Sequence, residues 1–428
     1  MIKRSFLGLI KPRLQYDMLD GSTTAPEQIP ASSVIVLFLP NMKRKNMPPV
    51  LKTGDAVKKG QQLFSCQGTN EEFVVSPASG TISSIEPFIG GFGKTYDKIS
   101  IDVSQDQTVD ANVDNLKKAP SLSTLQKVLA NIPGNLPVDA MANTDITINT
   151  IVVNCAEADL QVTTSQLIVK SKIEDIKEGV KVIKKATNVP NVSLAVPEHL
   201  QSAVASIGLN IKKVSLDYPS ADPKLLMKDA FGTVVTAGKN CEDHGTLFIS
   251  AEAVANVGNA YKTGNLPVQK MVTVINKDGS KKMVSALIGT PVKDVLSFLK
   301  IKVNENDRII FGGPMKGTAI FSFDQPVMCD TDGIIIQDKD DIPEISDYPC
   351  INCGECVRIC PANVPVNLLI RFLEAGQYEN AQIMYDLDSC IECGLCSYVC
   401  VSKMPVYQYI TLAKHELAQI RTAEANNA

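Results

Sequence analysis

Eight cysteines near the C-terminus carry the spacing from which chemistry can be read. Cys350, Cys353, Cys356 and Cys360 form one quartet and Cys390, Cys393, Cys396 and Cys400 a second, each with the pattern C-x2-C-x2-C-x3-C. That run holds a [4Fe–4S] cluster: three thiolates in a tight loop reach three corners of the cuboid, and the fourth, carried off by a helix, ligates the neighbouring cluster. The expected sets are therefore Cys350, Cys353, Cys356 and Cys400 for cluster 1, and Cys390, Cys393, Cys396 and Cys360 for cluster 2. Gly354 and Gly394 fall inside the loops, where backbone passes close to sulfide. Pro361 follows the first quartet, and Val401 takes that place after the second. Structural zinc favours paired knuckles of four ligands per ion, and a disulfide framework needs a small domain in an oxidising compartment; neither matches two runs of four. Two clusters side by side pass single electrons.

The elements that position them must come from a chain of 428 residues, enough for about three domains. A net charge of −4 without a basic block argues against nucleic acid as a partner. The start MIKRSF lacks the apolar core of a signal peptide and no run reaches the length of a membrane span. The expectation is a cytoplasmic protein that meets the inner face of a membrane only through a partner.

Short alternating strands punctuated by Gly54-Asp55, Gly60 and Pro77-x-x-Gly80 read as a compact β module within 1–110, similar to the barrel-sandwich hybrid of biotinyl and lipoyl domains. The hairpin tip Gly68-Thr69-Asn70-Glu71 has no lysine to modify, which leaves a structural module after a polar lead-in. Residues 120–262 alternate strand and helix: TINTIVVNC, a helix over Thr164 to Ala186, VSLAVP, a helix from about Glu198, then NIKKVSLDYP. The pattern predicts a mostly parallel sheet, with ligands beyond the carboxyl ends of its strands. Asn154-Cys155-Ala156-Glu157-Ala158-Asp159 lies at one such end and Tyr218-Pro219 at another. A β-rich unit over 263–340 and the cysteine-bearing unit over 341–428 complete the chain. Between the quartets two short helices break at Gly376, with apolar faces of Leu368, Leu369, Phe372 and Leu373, and of Ala381, Met384 and Leu387.

Four cysteines lie outside the quartets. Cys66 and Cys329 read as buried small hydrophobes. Cys155, beside Glu157 and Asp159, and Cys241, with Lys239 and His244 near enough to favour a thiolate, could form a redox pair although 86 positions separate them.

The order of these motifs, with Asn256-Val257-Gly258-x-Ala260-Tyr261, Gly289-Thr290-Pro291 and Gly312-Gly313-Pro314-Met315, resembles the C subunit of Rnf electron-transport complexes from about residue 40 to 410. The resemblance implies a multidomain α/β and β protein: a barrel-sandwich hybrid, an α/β domain like the flavin- and nicotinamide-binding subunit of respiratory complex I, a β-grasp-like domain and an α-helical ferredoxin domain. It also implies FMN and NADH, with Asn154 and Glu157 at the flavin or nicotinamide site. The chain departs from the family where a glycine-rich loop is expected: Ala130 to Val138 keeps one glycine and has two prolines, which lack N–H donors. A soluble branch, the proline-reductase-associated electron-transfer proteins, has a similar architecture. Three functions follow: an adaptor feeding electrons to a partner such as D-proline reductase, an FMN-dependent NADH dehydrogenase subunit, or a subunit docked on a membrane complex.

Overall fold

The computed structural model describes residues 12–19, 25–40, 50–64, 73–114 and 120–427; Cys66 and the hairpin tip at 68–71 lie outside them. Strands β1 (Glu27–Gln28), β2 (Val34–Pro40), β3 (Ala56–Val57), β4 (Gln62–Phe64), β5 (Phe73–Val75), β6 (Gly80–Ile89) and β7 (Thr95–Val103) open the chain. An antiparallel sheet of order β2-β7-β6-β3 packs with the hairpin β4–β5 over Ile35, Leu63, Ile82, Ile99 and Ile101, all wholly buried. Alternation of apolar and polar residues along β6 and β7 puts one face inward. Their long hairpin ends in a turn whose Phe92 stacks on His415 of the C-terminal helix, with ring centroids 5.1 Å apart.

The lead-in does not stay with this module. Tyr16 N donates to Leu216 O and Tyr218 N to Leu14 O, while β1 runs parallel to strand β13 (Lys281–Leu287) of the third unit. Its polar composition hid this, because the contacts are made by backbone and by two isolated apolar side chains, Tyr16 and Ile29, both buried.

The second unit is built on β8 (Thr150–Asn154), β9 (Asn191–Pro197), β10 (Asn210–Val214) and β11 (Thr246–Ser250), all parallel in the order β10-β9-β8-β11. One face carries the helices Ile173–Thr187 and Ala251–Thr263. The first packs Ile176, Val180 and Ile183 at helical spacing; the second starts at Ser250, whose hydroxyl accepts from Ala253 N. The stretch expected as one helix from Thr164 is two, Thr164–Ser171 and Ile173–Thr187, broken where Lys172 leaves helical geometry (φ −123°, ψ 32°). The other face, with Val152, Ala195 and Phe248, packs towards Tyr16, Tyr218 and Leu226 and through them on the cysteine-bearing unit.

The third unit adds β12 (Gln269–Ile275), β14 (Arg308–Phe311), β15 (Thr318–Ile320) and β16 (Gly333–Gln337) in a mixed sheet β1-β13-β12-β16-β14-β15, covered by the helix Val292–Phe298. It is tied to the second by Lys270, wholly buried, whose Nζ reaches Glu252 Oε2 at 2.5 Å and Asp332 Oδ1 at 2.6 Å. A buried ammonium persists only with such partners, and the two carboxylates outweigh the burial that opposes its charge.

The last unit has helices Val366–Glu374 and Tyr378–Tyr385 on either side of Gly376, and the long helix Val406–Asn427. The inward positions of Val366–Glu374 are Val366, Leu369, Ile370 and Leu373. Leu368, expected inside, is 38% exposed, and Met384 of the next helix is 61% exposed. The helical register places Ile370 on the stripe instead. Among the described residues no helix is long and apolar enough to cross a membrane.

Candidate functional site

Each cysteine loop opens a short helix, Glu355–Ile359 or Leu395–Val399, and each fourth cysteine ends one in extended geometry. That exit carries the fourth thiol away from its own loop. One cavity is lined by Cys350, Cys353, Cys356 and Cys400, the other by Cys360, Cys390, Cys393 and Cys396. The structure thus brings together the two sets read from the spacing, with the fourth cysteines exchanged. Val366 lines both cavities and is the wall they share. Among the described residues no three His, Cys, Asp or Glu side chains converge as on a single metal ion.

The cavities differ in surroundings. Cys353 is exposed in the outer one, whereas Cys393 and Cys396 are buried in the inner one. Burial pushes the Cys393 thiol up to about 12 and Cys356 up to about 11, with the neighbouring thiols adding to both. Main-chain N–H groups aim at sulfur in both loops, Asn352 N at Cys350 Sγ and Glu392 N at Cys390 Sγ, each at 3.4 Å. Lys414 holds the inner loop by donating to Cys390 O at 2.6 Å and to Glu392 Oε1 at 2.8 Å.

Three distant motifs meet at the inner loop. Tyr218 donates its hydroxyl to Cys393 O at 2.8 Å, and burial raises that phenol well above its ordinary range. Asp159 accepts from Lys316 N at 2.7 Å and from Met315 N at 3.2 Å, fixing the Gly312-Gly313-Pro314-Met315 loop. Met315 O then lies 2.6 Å from where a Cβ on Gly394 would stand, and Gly394 has φ +75°, so this position requires glycine. Gly354, its counterpart in the outer loop, has nothing within 4 Å. Tyr218 and Met315 were visible in sequence as motif residues, but their contact with the second quartet was not, and Val366 gave no signal at all.

Asn154 and Glu157 are spent on the protein itself. Asn154 donates to Ala221 O at 3.2 Å and accepts from Ala156 N at 3.1 Å. Glu157 accepts from Ser165 N at 3.2 Å and Gln166 N at 2.9 Å at the start of helix Thr164–Ser171; burial pushes its carboxyl up to about 8. The loop at 130–138 is packed too: Gly134 N donates to Cys329 O, Gly134 O accepts from Ser250 Oγ, and Asn256 Nδ2 donates to Pro133 O. Gly134 N is thus engaged and the two prolines lack N–H, while Ala130, Asn131, Leu136 and Val138 line a cavity of about 970 Å³ together with Gly289 and Met328.

The proposed redox pair is not formed. Cys155 belongs to the core beneath helices Ile173–Thr187 and Ala251–Thr263, with Ile151 and Val153. Cys241 lines a cleft of about 800 Å³ on the other face, beside Phe248, Cys390 and Lys414. The Cys241 carbonyl accepts from Thr246 N, where β11 begins, whereas Cys155 follows β8 at the opposite end of the sheet. Two faces and a sheet's length separate the thiols. Nor is either a thiolate: burial pushes each up to about 12. Lys239 pairs with Asp243 at 3.8 Å, and His244 Nε2 accepts from Thr236 N. Cys329 is half-buried, also raised to about 12 by burial.

Residues 16–107 match the RnfC barrel sandwich hybrid domain and residues 349–404 a 4Fe-4S dicluster domain. The C subunit of the ion-translocating oxidoreductase complex of Rhodobacter capsulatus is 26% identical over 379 residues, covering 83% of this chain and 72% of that protein. Its namesake from Pseudomonas aeruginosa is 27% identical over 423 residues, 94% of this chain and 54% of that one. The C subunit of the proton-translocating ferredoxin:NAD(+) oxidoreductase complex of Clostridium ljungdahlii is 28% identical over 403 residues, 89% of this chain and 88% of that protein. Among solved structures, an NAD+-reducing [NiFe]-hydrogenase in the H2-reduced state aligns with TM-score 0.46 and 13% identity over 74% of this chain and 69% of that one, a likeness too loose to carry an argument.

Proposed function

We propose that this Rnf-C-like chain is an iron–sulfur electron carrier that holds two [4Fe–4S] clusters, one on Cys360, Cys390, Cys393 and Cys396 and one on Cys350, Cys353, Cys356 and Cys400. The observation that carries it is the pair of four-cysteine cavities with exchanged fourth ligands and a common wall at Val366. The chemistry such clusters supply when bound is the transfer of single electrons. The chain's own part is to keep water from the inner cavity, to aim N–H groups at sulfur, and to hold the two sites one side chain apart. Burial on the inner side and exposure at Cys353 support a direction, in from the α/β unit and out at the outer cavity.

A protein partner completes the reading: a soluble substrate reductase, D-proline reductase being the one that the resemblance implies. The relatives are named as subunits of oxidoreductase complexes, one of them a ferredoxin:NAD(+) oxidoreductase. That favours, as a second reading, an NADH dehydrogenase subunit that reaches a membrane through its partners. The engaged Gly134 N and the two prolines of the 130–138 loop weigh against the FMN which that reading needs, and the cavity of about 970 Å³ beside the loop is what favours it.

Anaerobically purified protein should hold about eight irons and eight acid-labile sulfides per chain. Reduced with dithionite and mixed with D-proline reductase, it should support turnover on D-proline. Zinc in place of iron would sink the electron-carrier reading. Stoichiometric FMN with NADH-dependent cluster reduction would replace the adaptor by the dehydrogenase.

A further inference from the structure

The surface at the outer cavity is both apolar and charged. Ile345, Tyr348 and Ile351 are 61%, 73% and 67% exposed, and they run up to Cys353, which is exposed itself. Ser346 N donates to Lys403 O at 3.1 Å, which lays this segment along the 401–404 loop walling the same cavity. Large side chains held in water beside a redox port cost solvation that a partner would recover. In sequence they are flanked by Asp338, Asp340, Asp341, Glu344, Asp347 and Glu355. Residues 338–355 contain these six acids against one lysine, a formal −5 where the whole chain carries −4. Lys403 pairs with Glu344, Arg358 with Glu355 and Lys277 with Asp338, which still leaves the segment net negative.

We infer that Ile345, Tyr348 and Ile351 form the docking face for the electron acceptor, and that the acceptor is a redox protein with a basic ring around its own electron port. The inference rests on the two-cluster reading and adds the outlet and the chemistry of the partner. One electron leaves the reduced outer cluster, which is oxidised by one unit, and reduces the acceptor by one; no proton or atom moves. An acidic rim meeting a basic ring steers encounter and makes the rate fall with salt, while the apolar centre governs the closeness of the docked complex.

The test uses the full chain with its clusters, reduced by dithionite, desalted and mixed by stopped flow with cytochrome c as a basic one-electron acceptor. Iron content and bleaching by dithionite, measured first, report on the two-cluster reading alone. The second-order rate should fall about tenfold between roughly 20 and 300 mM salt. Combined Asp340→Asn, Asp341→Asn, Glu344→Gln and Asp347→Asn should remove most of the low-salt rate and flatten its salt dependence. Neutralising the exposed Asp106, Glu174, Glu198 and Asp229 in the same number should leave both unchanged. Ile345→Ser with Tyr348→Ser should slow cytochrome c about threefold or more at high salt, while ferricyanide, a small anion, is reduced at the wild-type rate. Equal loss in both charge variants overturns the inference, as does a rate indifferent to Ile345 and Tyr348. Self-association, or binding to anionic vesicles, that the Ile345→Ser and Tyr348→Ser changes abolish would assign the face to another occupant and overturn it too.

Discussion

The hydroxyl of Tyr218 donates to the main-chain oxygen of Cys393 at 2.8 Å, joining residues 175 positions apart. Both groups are buried, so this bond ties the inner cysteine loop to the α/β unit, beside the tie that Lys414 makes from the C-terminal helix. Tyr218→Phe keeps the ring, which packs edge-on against Tyr16 at 5.5 Å, and removes only the donor. A buried carbonyl left without a partner costs about 1–3 kcal/mol. The variant should unfold at correspondingly lower denaturant and lose visible cluster absorbance earlier in the same titration. Unchanged midpoints would show that the loop is held without Tyr218.

The exchange of fourth cysteines gives an asymmetric expectation for single substitutions. Cys360→Ser should empty the inner site, whose other ligands lie 30 or more positions away, and spare the outer one beside it in sequence. Cys400→Ser should do the converse. Each variant should retain about four of about eight irons, and the surviving cluster's paramagnetic resonance should differ between the two. If Cys360→Ser instead damages the cluster of Cys350, Cys353 and Cys356, each quartet binds by itself.

What the sequence made legible was what is local or periodic. Thiol spacing is set by a loop and one helix turn, so both cysteine sets could be read from it, including the exchange. The alternation of strand and helix located β8, β9 and β10 but not β11, and Gly376 marked a real break. What failed depended on contacts between distant segments or on a side chain's surroundings. Cys155 follows the end of β8 and points into the helix-covered core, whereas Cys241 lies in the turn before β11 and lines a cleft on the other face. Glu157 looked like a ligand-binding acid because of where it stands, yet two main-chain N–H groups of the next helix occupy it. Leu368 was counted inward because it is apolar, although the register of Val366, Leu369, Ile370 and Leu373 turns it out.

Glu157 should be visible in the pH dependence of stability. Burial, reinforced by the Asp332 carboxylate, raises its carboxyl from 4.5 to about 8, against the pull of the Gln166 and Ser165 N–H groups. The folded state therefore holds the proton more tightly than the unfolded state. The stabilisation is complete below the unfolded value near 4.5 and is lost as pH rises through about 8. Glu157→Gln cannot ionise, so its stability should fall less steeply across this window, by up to one proton, or about 1.4 kcal/mol per pH unit. Urea midpoints of both proteins at pH 5, 6.5 and 8 measure this. Parallel curves would mean that Glu157 is ionised in the folded protein.

Gly258 gives a prediction opposite in sign to the usual rule. In a helix interior alanine is favoured over glycine by about 1 kcal/mol, so Gly→Ala is ordinarily stabilising. Gly258 sits mid-helix in Ala251–Thr263, where that helix crosses Ile173–Thr187. A Cβ there would stand 1.9 Å from Asp175 O and 2.6 Å from Gly179 N, both backbone atoms that cannot rotate away. A Cβ on Gly179 would likewise stand 1.9 Å from Val254 O, so the crossing has no slack in either direction. To admit a methyl group the helices must separate, which loosens Ile176, Val180 and Val254 in the core beneath β8. Overpacking of this kind costs about 1–3 kcal/mol or more, which outweighs the gain in propensity. Gly258→Ala should therefore lower stability by at least about 1 kcal/mol, whereas Gly279→Ala, in an open turn with nothing within 4 Å, has only its φ of +78° to strain it. Because the cysteine-bearing unit packs on the other face of the sheet, iron content of the Gly258→Ala protein at low temperature should match the wild type. Equal or greater stability in that variant would mean that the helices stand further apart than this crossing requires.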